Sequence, residues 1–251
     1  MNGHFGASLL AIIAATAGLA WSGATVAAEA TSAETVIELF TSQGCSSCPP
    51  ADALAGQLAE HKDLVVLSMP VDYWDYLGWK DTFAKHQFSE RQRSYALARG
   101  DGQVYTPQMV VNGLQHAVGS EEDSVKEAIA ATDAALKGKR VPVKMTMAGD
   151  GLTVDIGAAP AGASPTAANV LLADFKSSAD VSINRGENGG HKVTYFHIVR
   201  QLQSVGTWTG QPMSIHLTRA DLTVSGSDGC AVLLQQGSSG PILGAAQLMT
   251  Q

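Results

Sequence analysis

The stretch Thr35-Val36-Ile37-Glu38-Leu39-Phe40-Thr41-Ser42-Gln43-Gly44-Cys45-Ser46-Ser47-Cys48-Pro49-Pro50 decides how the chain is read. Thr35 to Phe40 is β-branched and apolar apart from Glu38, which predicts a strand. Two cysteines separated by two residues follow at once. Ala51 to Glu60 is rich in Ala, Leu and Gln, places Leu54 and Leu58 on one face, and predicts a helix. Leu64 to Met69 is a second apolar run, closed by Pro70. Strand, helix and strand in so short a span make a βαβ unit with a parallel pair.

Downstream, Val71 to Lys85 fits neither a strand nor a simple helix, and Tyr73, Trp74, Tyr76 and Trp79 crowd into it. Ser89 to Arg99 predicts a helix opened by a capping box, Ser89 with Gln92. Tyr105-Thr106-Pro107 leads into a short strand, an Asn112-Gly113 hairpin turn and a return strand over Leu114–Val118. Ser120 to Leu136 predicts a helix with an acidic first turn, basic residues at its end and a buried stripe of Val125, Ile129 and Leu136. Beyond Gly138 the texture changes. Val141–Met147 and Leu152–Ile156 flank an Asp150-Gly151 turn and predict a hairpin, and apolar or alternating runs recur at Ala168–Phe175, Lys192–Val199, Met213–Leu217 and Cys230–Leu234. Short strands with turn signals and no clear helix predict an all-β sandwich there.

Composition narrows the function classes. The 251 residues are 45% hydrophobic and 16% charged, which argues against disorder. A net charge of −7 argues against a nucleic-acid partner, and three cysteines are too few for a disulfide-stapled scaffold. The charge is uneven: residues 1–139 carry 9 basic and 16 acidic side chains, while residues 140–251 carry 7 of each. The first 28 residues hold no Asp, Glu, Lys or Arg, and run from an apolar core, Ala7–Ala15, to small residues ending at Ala27-Ala28. This predicts a secretory signal peptide cleaved between Ala27 and Ala30, although its first residues supply only His4 where Lys or Arg is usual. The expected location is the periplasm or the medium, with no stable membrane insertion after cleavage.

Cys45 and Cys48 carry the chemistry. At the start of a helix, unpaired N–H groups and the helix dipole favour a thiolate, so the first cysteine becomes nucleophilic at neutral pH. In this reading Cys45 attacks and Cys48, one turn on, resolves. Pro49-Pro50 bias Cys48 and Pro49 away from helical geometry, which sets the dithiol on the turn before the helix with Cys45 exposed. A structural disulfide and a metal site are the alternatives. Zinc would want two further ligands, but there is no second Cys-x-x-Cys and His61, His86 and His116 are scattered, so copper(I) is the metal that two thiolates fit.

Together with the dithiol, Thr106-Pro107 resembles the thioredoxin fold, in which a cis-proline loop packs beside the Cys-x-x-Cys and pairs with the substrate backbone. The resemblance narrows on Val36–Asp52, Val71–Trp79, Tyr105–Gly113, Arg185–Asn188 and Gly240–Ala246, which are similar to a bacterial secreted, thioredoxin-like family catalogued as domain of unknown function 1223. It implies a signal peptide over 1–28, an α/β thioredoxin-like domain over 29–139, and an all-β sandwich domain over 140–251. It also implies Cys45, Cys48 and Pro107 as the catalytic set, but no substrate.

The remaining candidates each have a plainer reading. Tyr73, Trp74 and Trp79, with Tyr105 and Thr106, form a rim that binds a protein partner, or they anchor an insertion. Asp72 or Asp75 accepts a proton from Cys48, or is a surface carboxylate. Arg185–Gly190 is a binding loop or a polar turn. Cys230 reads as a buried free thiol, and His191, His197 and His216 show no metal spacing. The function expected is an exported thiol–disulfide oxidoreductase that needs no cofactor, acting on protein thiols or disulfides with a separate redox partner. A copper(I) metallochaperone and a non-catalytic envelope binding protein with a structural disulfide are the rivals.

Overall fold

The structure, a computed structural model, describes residues 1, 3, 28–30, 32, 33, 35–149, 151–163, 166–222, 224 and 226–249. The signal-peptide expectation lies outside these but for Met1, Gly3 and Ala28. Among them no helix is long and apolar enough to cross a membrane.

The chain builds two sheets. The larger has eight strands in the order β12-β11-β8-β9-β3-β2-β4-β5, and the smaller has the order β1-β6-β7-β10. At the centre of the large sheet β2 (Thr35–Thr41) runs parallel to β3 (Leu64–Pro70), joined by α1 (Pro49–Leu58) as the sequence predicts. Buried on both faces, β2 splits its side chains by the two-residue period of a strand. Ile37 and Leu39 pack with Ala51, Leu54 and Ala55 of α1 and Val125 of α3 (Glu122–Leu136). Val36 and Phe40 pack on the opposite face with Phe88 and Tyr95 of α2 (His86–Arg99). Strands β4 (Gln108–Val111) and β5 (Gln115–Val118) form the predicted hairpin, turned by Asn112 at φ 50 and Gly113 at φ 69. Asn112 also accepts from the Val36 N–H, which ties the turn to β2.

The expectation of an α/β thioredoxin-like domain followed by an all-β sandwich domain is overturned. The described residues are mostly β, 43% strand against 21% helix. Its α/β part does not close on itself, because β3 takes β9 (Lys192–Trp208) as its outer neighbour, and β9 leads on to β8 (Ala168–Ser182), β11 (Gly229–Gln236) and β12 (Ile242–Met249). One sheet therefore contains strands from either side of residue 140. The junction lies at His197, whose left-handed φ of 43° is rare for a non-glycine residue and whose ring Nδ1 lies 3.0 Å from the Val66 carbonyl. Apolar runs mark only part of β8 and β9: past Phe175 and before Tyr195 the strands are largely polar and none of their side chains is buried, so the core ends before the pairing does.

A stack of two sheets does exist. β6 (Val143–Ala148) and β7 (Gly151–Ile156) of the small sheet, with β1 (Ala28–Ala30) and β10 (Met213–Thr218) at its edges, turn Val143, Met145, Leu152, Val154 and Ile156 onto Val170, Leu172, Val232, Leu234 and Leu248. The other layer of that stack is the distal end of the sheet that carries the dithiol.

Candidate functional site

The turn after β2 presents the cysteines. The Cys45 N–H donates to Ser42 O at 3.1 Å and the Cys48 N–H to Cys45 O at 3.2 Å, which coils the chain into α1. The two Cα atoms are 5.4 Å apart and the sulfurs are joined as a disulfide. Cys48 adopts helical geometry (φ −77, ψ −36) as the cap of α1, so the helix begins at Pro49 and overrides the bias imposed by the proline that follows. Pro49 and Pro50 bring no N–H, and the Ala51 and Asp52 N–H groups donate to Cys48 O. The helix thus offers the dithiol its dipole but few free donors. The Ser47 hydroxyl, 3.4 Å from Cys45 Sγ, is the polar group at the sulfur.

Cys45 is not exposed, contrary to the sequence expectation: it is 1% accessible and Cys48 is 0%. The cover comes from distant segments. Trp74 lies against Gly44, where an added Cβ would meet Trp74 Cβ at 3.1 Å, and its indole N–H donates to Thr106 Oγ1 at 2.9 Å. The Thr106–Pro107 peptide is cis and Pro107 is buried. Trp79 donates to the Gln43 side chain at 2.9 Å. Tyr73 and Tyr105 meet through Gln92, which accepts from the Tyr73 hydroxyl and donates to Tyr105 O, while the Tyr105 hydroxyl turns away to His116. Trp74 and Trp79 thus reach the dithiol turn, Thr106 is joined to it through Trp74, and Tyr73 and Tyr105 are linked to one another through Gln92.

Neither carboxylate singled out from the sequence is bonded to the dithiol turn. Asp72 accepts from Ser89 and lies 3.0 Å from His86; burial pushes its carboxyl up, but these bonds outweigh it and hold it below the usual range. Asp75 accepts from the Asp81 N–H. The buried carboxyl is Asp52, on the same helix four residues after Cys48. One oxygen accepts from Thr41 Oγ1 at 2.8 Å and the other has no partner. Burial raises its pKa well above the ordinary value, the Thr41 bond opposing and Asp81 reinforcing. Asp81, itself raised by burial, accepts from the backbone N–H groups of Gln43, Phe83 and Ala84. The Tyr195 hydroxyl is buried without a partner as well. Asp52 had a sequence signal, an acid one helical turn beyond Cys48 beside the buried Ala51.

The Arg185–Gly190 segment reaches the site. The side-chain amide of Asn188 donates to Gln43 O at 3.0 Å and to Cys45 O at 2.8 Å, and Glu187 accepts from the Ser46 N–H at 3.2 Å. No local signal connects residues so far apart in sequence. Cys230 is free and buried, and its thiol is pushed up to about 12 by burial and by Asp174. Among the described residues no group of three His, Cys, Asp or Glu side chains is placed to hold a metal ion.

The family model described as "Protein of unknown function (DUF1223)" matches residues 36–235. A crystal structure of a protein from Agrobacterium tumefaciens, determined by a structural genomics consortium, is 38% identical. It aligns over 87% of this chain and 95% of its own with a TM-score of 0.77. HBP35 of Porphyromonas gingivalis aligns over 87% of this chain and 75% of its own with a TM-score of 0.58, and at 12% identity it shares the fold alone. No curated protein matches.

Proposed function

The chain belongs to the DUF1223 family, and from that premise we propose that it is an exported thiol–disulfide oxidoreductase acting on protein thiols through Cys45 and Cys48. The observation that carries the reading is the Cys45–Cys48 disulfide at the start of α1, with a buried carboxyl, Asp52, one helical turn further on.

In the oxidising direction, a substrate thiolate attacks Cys45 Sγ. The Cys45–Cys48 bond breaks, its electron pair leaves on Cys48, and a mixed disulfide forms between substrate and Cys45. The departing Cys48 thiolate takes up a proton, and Asp52, a carboxyl one helical turn along α1 that burial pushes well above the ordinary range, is the acid this reading assigns to supply it. A second substrate thiolate then attacks the substrate sulfur of the mixed disulfide and Cys45 leaves, so the substrate gains a disulfide and the protein holds the dithiol. The reverse sequence reduces a substrate. In this reading Pro107 and Thr106, joined to the dithiol turn through Trp74, clamp the partner's backbone, and Trp74 and Trp79 supply contact surface.

Burial of both sulfurs is also what a structural cross-link shows, so the test must separate the two. In a Cys48→Ser variant the Cys45 thiolate attacks a substrate disulfide, and the mixed disulfide it forms lacks the Cys48 thiol that would resolve it in the reducing direction. The expected result is covalent adducts of envelope proteins on Cys45, released by reductant and absent from a Cys45→Ser/Cys48→Ser variant. No adducts, with a wild-type disulfide whose reduction lowers stability and changes no transfer activity, overturns the reading in favour of a structural disulfide. Stoichiometric copper(I) retained by the reduced protein would overturn it in favour of metal carriage.

A further inference from the structure

The geometry points to the β8–β9 hairpin tip, Ile183–His191, as a strap that closes the oxidised dithiol against small thiols and yields to a polypeptide substrate, whose backbone N–H groups replace Asn188 on the Gln43 and Cys45 carbonyls. This deepens the oxidoreductase reading and rests on it.

The strap is built as an arm. Among the described residues β8 and β9 are the longest strands, 15 and 17 residues, and remain paired through Ser182 and Lys192, where their side chains are only partly buried and Ile183, 1% exposed, anchors the base of the tip. The tip is closed by its own bonds, Gly190 N–H to Ile183 O at 2.7 Å and Ile183 N–H to His191 O at 2.9 Å. Phe196 rests on α1 at Gly56, where a Cβ would approach the ring to 2.5 Å, so the arm lies along the helix that carries Cys48. At the tip Gly186 (φ 77) lies against Trp79, where an added Cβ would meet Trp79 Cβ at 3.2 Å.

Asn188 is 4% exposed although Arg185, Gly186, Glu187, Gly189 and Gly190 around it are exposed. It spends both amide hydrogens on carbonyls of the dithiol turn. An Asn that closes a distant loop in this way is a latch, and what it latches is the turn whose Cys45 is 1% accessible. Thiol–disulfide exchange needs an approach to Cys45 Sγ in line with the S–S bond. With the latch closed that approach is shut, so exchange proceeds from the fraction of molecules in which the tip has lifted. A small thiol gives nothing back for the two bonds lost. An extended polypeptide flanking a cysteine carries N–H donors that can take over both carbonyls, as a pairing strand does. Glu187 holds the Ser46 N–H in the same closed state and places a carboxylate beside an attacking thiolate, a further barrier to anionic small thiols.

The test is the second-order rate of Cys45–Cys48 reduction by dithiothreitol and by a reduced, unfolded protein, in wild type, Asn188→Leu and Glu187→Gln. Asn188→Leu keeps nearly the side-chain size, removes both donors and adds no charge, and Glu187→Gln changes an exposed residue outside the core. Dithiothreitol is expected to react about tenfold faster with Asn188→Leu and severalfold faster with Glu187→Gln, while the unfolded protein gains less, so the wild-type preference for polypeptide shrinks. Unchanged dithiothreitol rates in both variants overturn the strap. Equal acceleration toward both reductants overturns the replacement of Asn188 by a substrate backbone. These rates need no physiological substrate: faster dithiothreitol reduction in a protein that never traps adducts on Cys45 would keep the closure and reject the oxidoreductase reading.

Discussion

Asp174 sits on β8 between Gln201 of β9 and Cys230 of β11, is 1% exposed, and has one carboxylate oxygen without a partner. Burial pushes its pKa from the ordinary carboxylate range up to about 6. A carboxyl whose pKa is raised on folding binds its proton more tightly in the native state. Its contribution is complete below the ordinary carboxylate range and is lost as the pH rises through about 6. Asp52 and Asp81 are displaced in the same direction. Asp174→Asn is therefore expected to gain on the order of 2 kcal/mol relative to wild type between pH 4 and pH 8. Urea unfolding at the two pH values measures this directly, and a constant difference between the proteins would contradict it. At the same scale, a strongly raised thiol pKa and full burial predict that Cys230 stays unalkylated in the native protein.

The segment between β3 and α2 shows how an irregular element is held in place. Asp81 accepts three backbone N–H groups, two within its own turn and one from Gln43 in the dithiol turn, and so fastens the residues that carry Trp74 and Trp79. Asp81→Ala would leave buried donors unpaired, at a cost of about 1–3 kcal/mol. It should also loosen both indoles, seen as loss of near-ultraviolet circular dichroism with unchanged far-ultraviolet signal. An unaltered near-ultraviolet spectrum would show that the segment is held by other contacts. The aromatic cluster was legible in the sequence; this tether was not, because one carboxylate serving three backbone donors leaves no periodic trace. Ser89 shows a similar limit. It reads as a helix cap, yet α2 begins three residues earlier at His86, and the Ser89 hydroxyl is committed to Asp72 across the loop. A capping pattern fixes an end only when no tertiary partner competes for the hydroxyl.

At the scale of the molecule, the change in texture after Gly138 marks a change of strand style within a shared sheet. The βαβ unit, the Asn112-Gly113 hairpin and the dithiol were readable because each is set by residues close in sequence. The pairing of β3 with β9 and the docking of Asn188 were not, since both join segments more than a hundred residues apart through contacts without local periodicity. Those contacts are substantial. Val36, Phe40, Val65, Leu67 and Tyr95 share one core with Phe175, Val199, Leu202, Leu233 and Ile242. Buried Arg91 pairs with Glu38 on β2 and also donates to Gln235 on β11 at 2.9 Å, so an ion pair in the first half has a partner in the second. Residues 29–139 alone would expose that apolar face to water, open the β3 edge and leave Arg91–Glu38 partly solvated, losses that outrun the few kcal/mol of stability a domain of this size commands. A fragment of residues 29–139 is accordingly expected to lack a cooperative thermal transition and to be cleaved rapidly by trypsin. Mixing it with residues 140–251 should restore protection if the shared sheet reassembles. A fragment that melts cooperatively by itself would show that the dithiol half folds without β9, and that the common core adds to its stability without creating it.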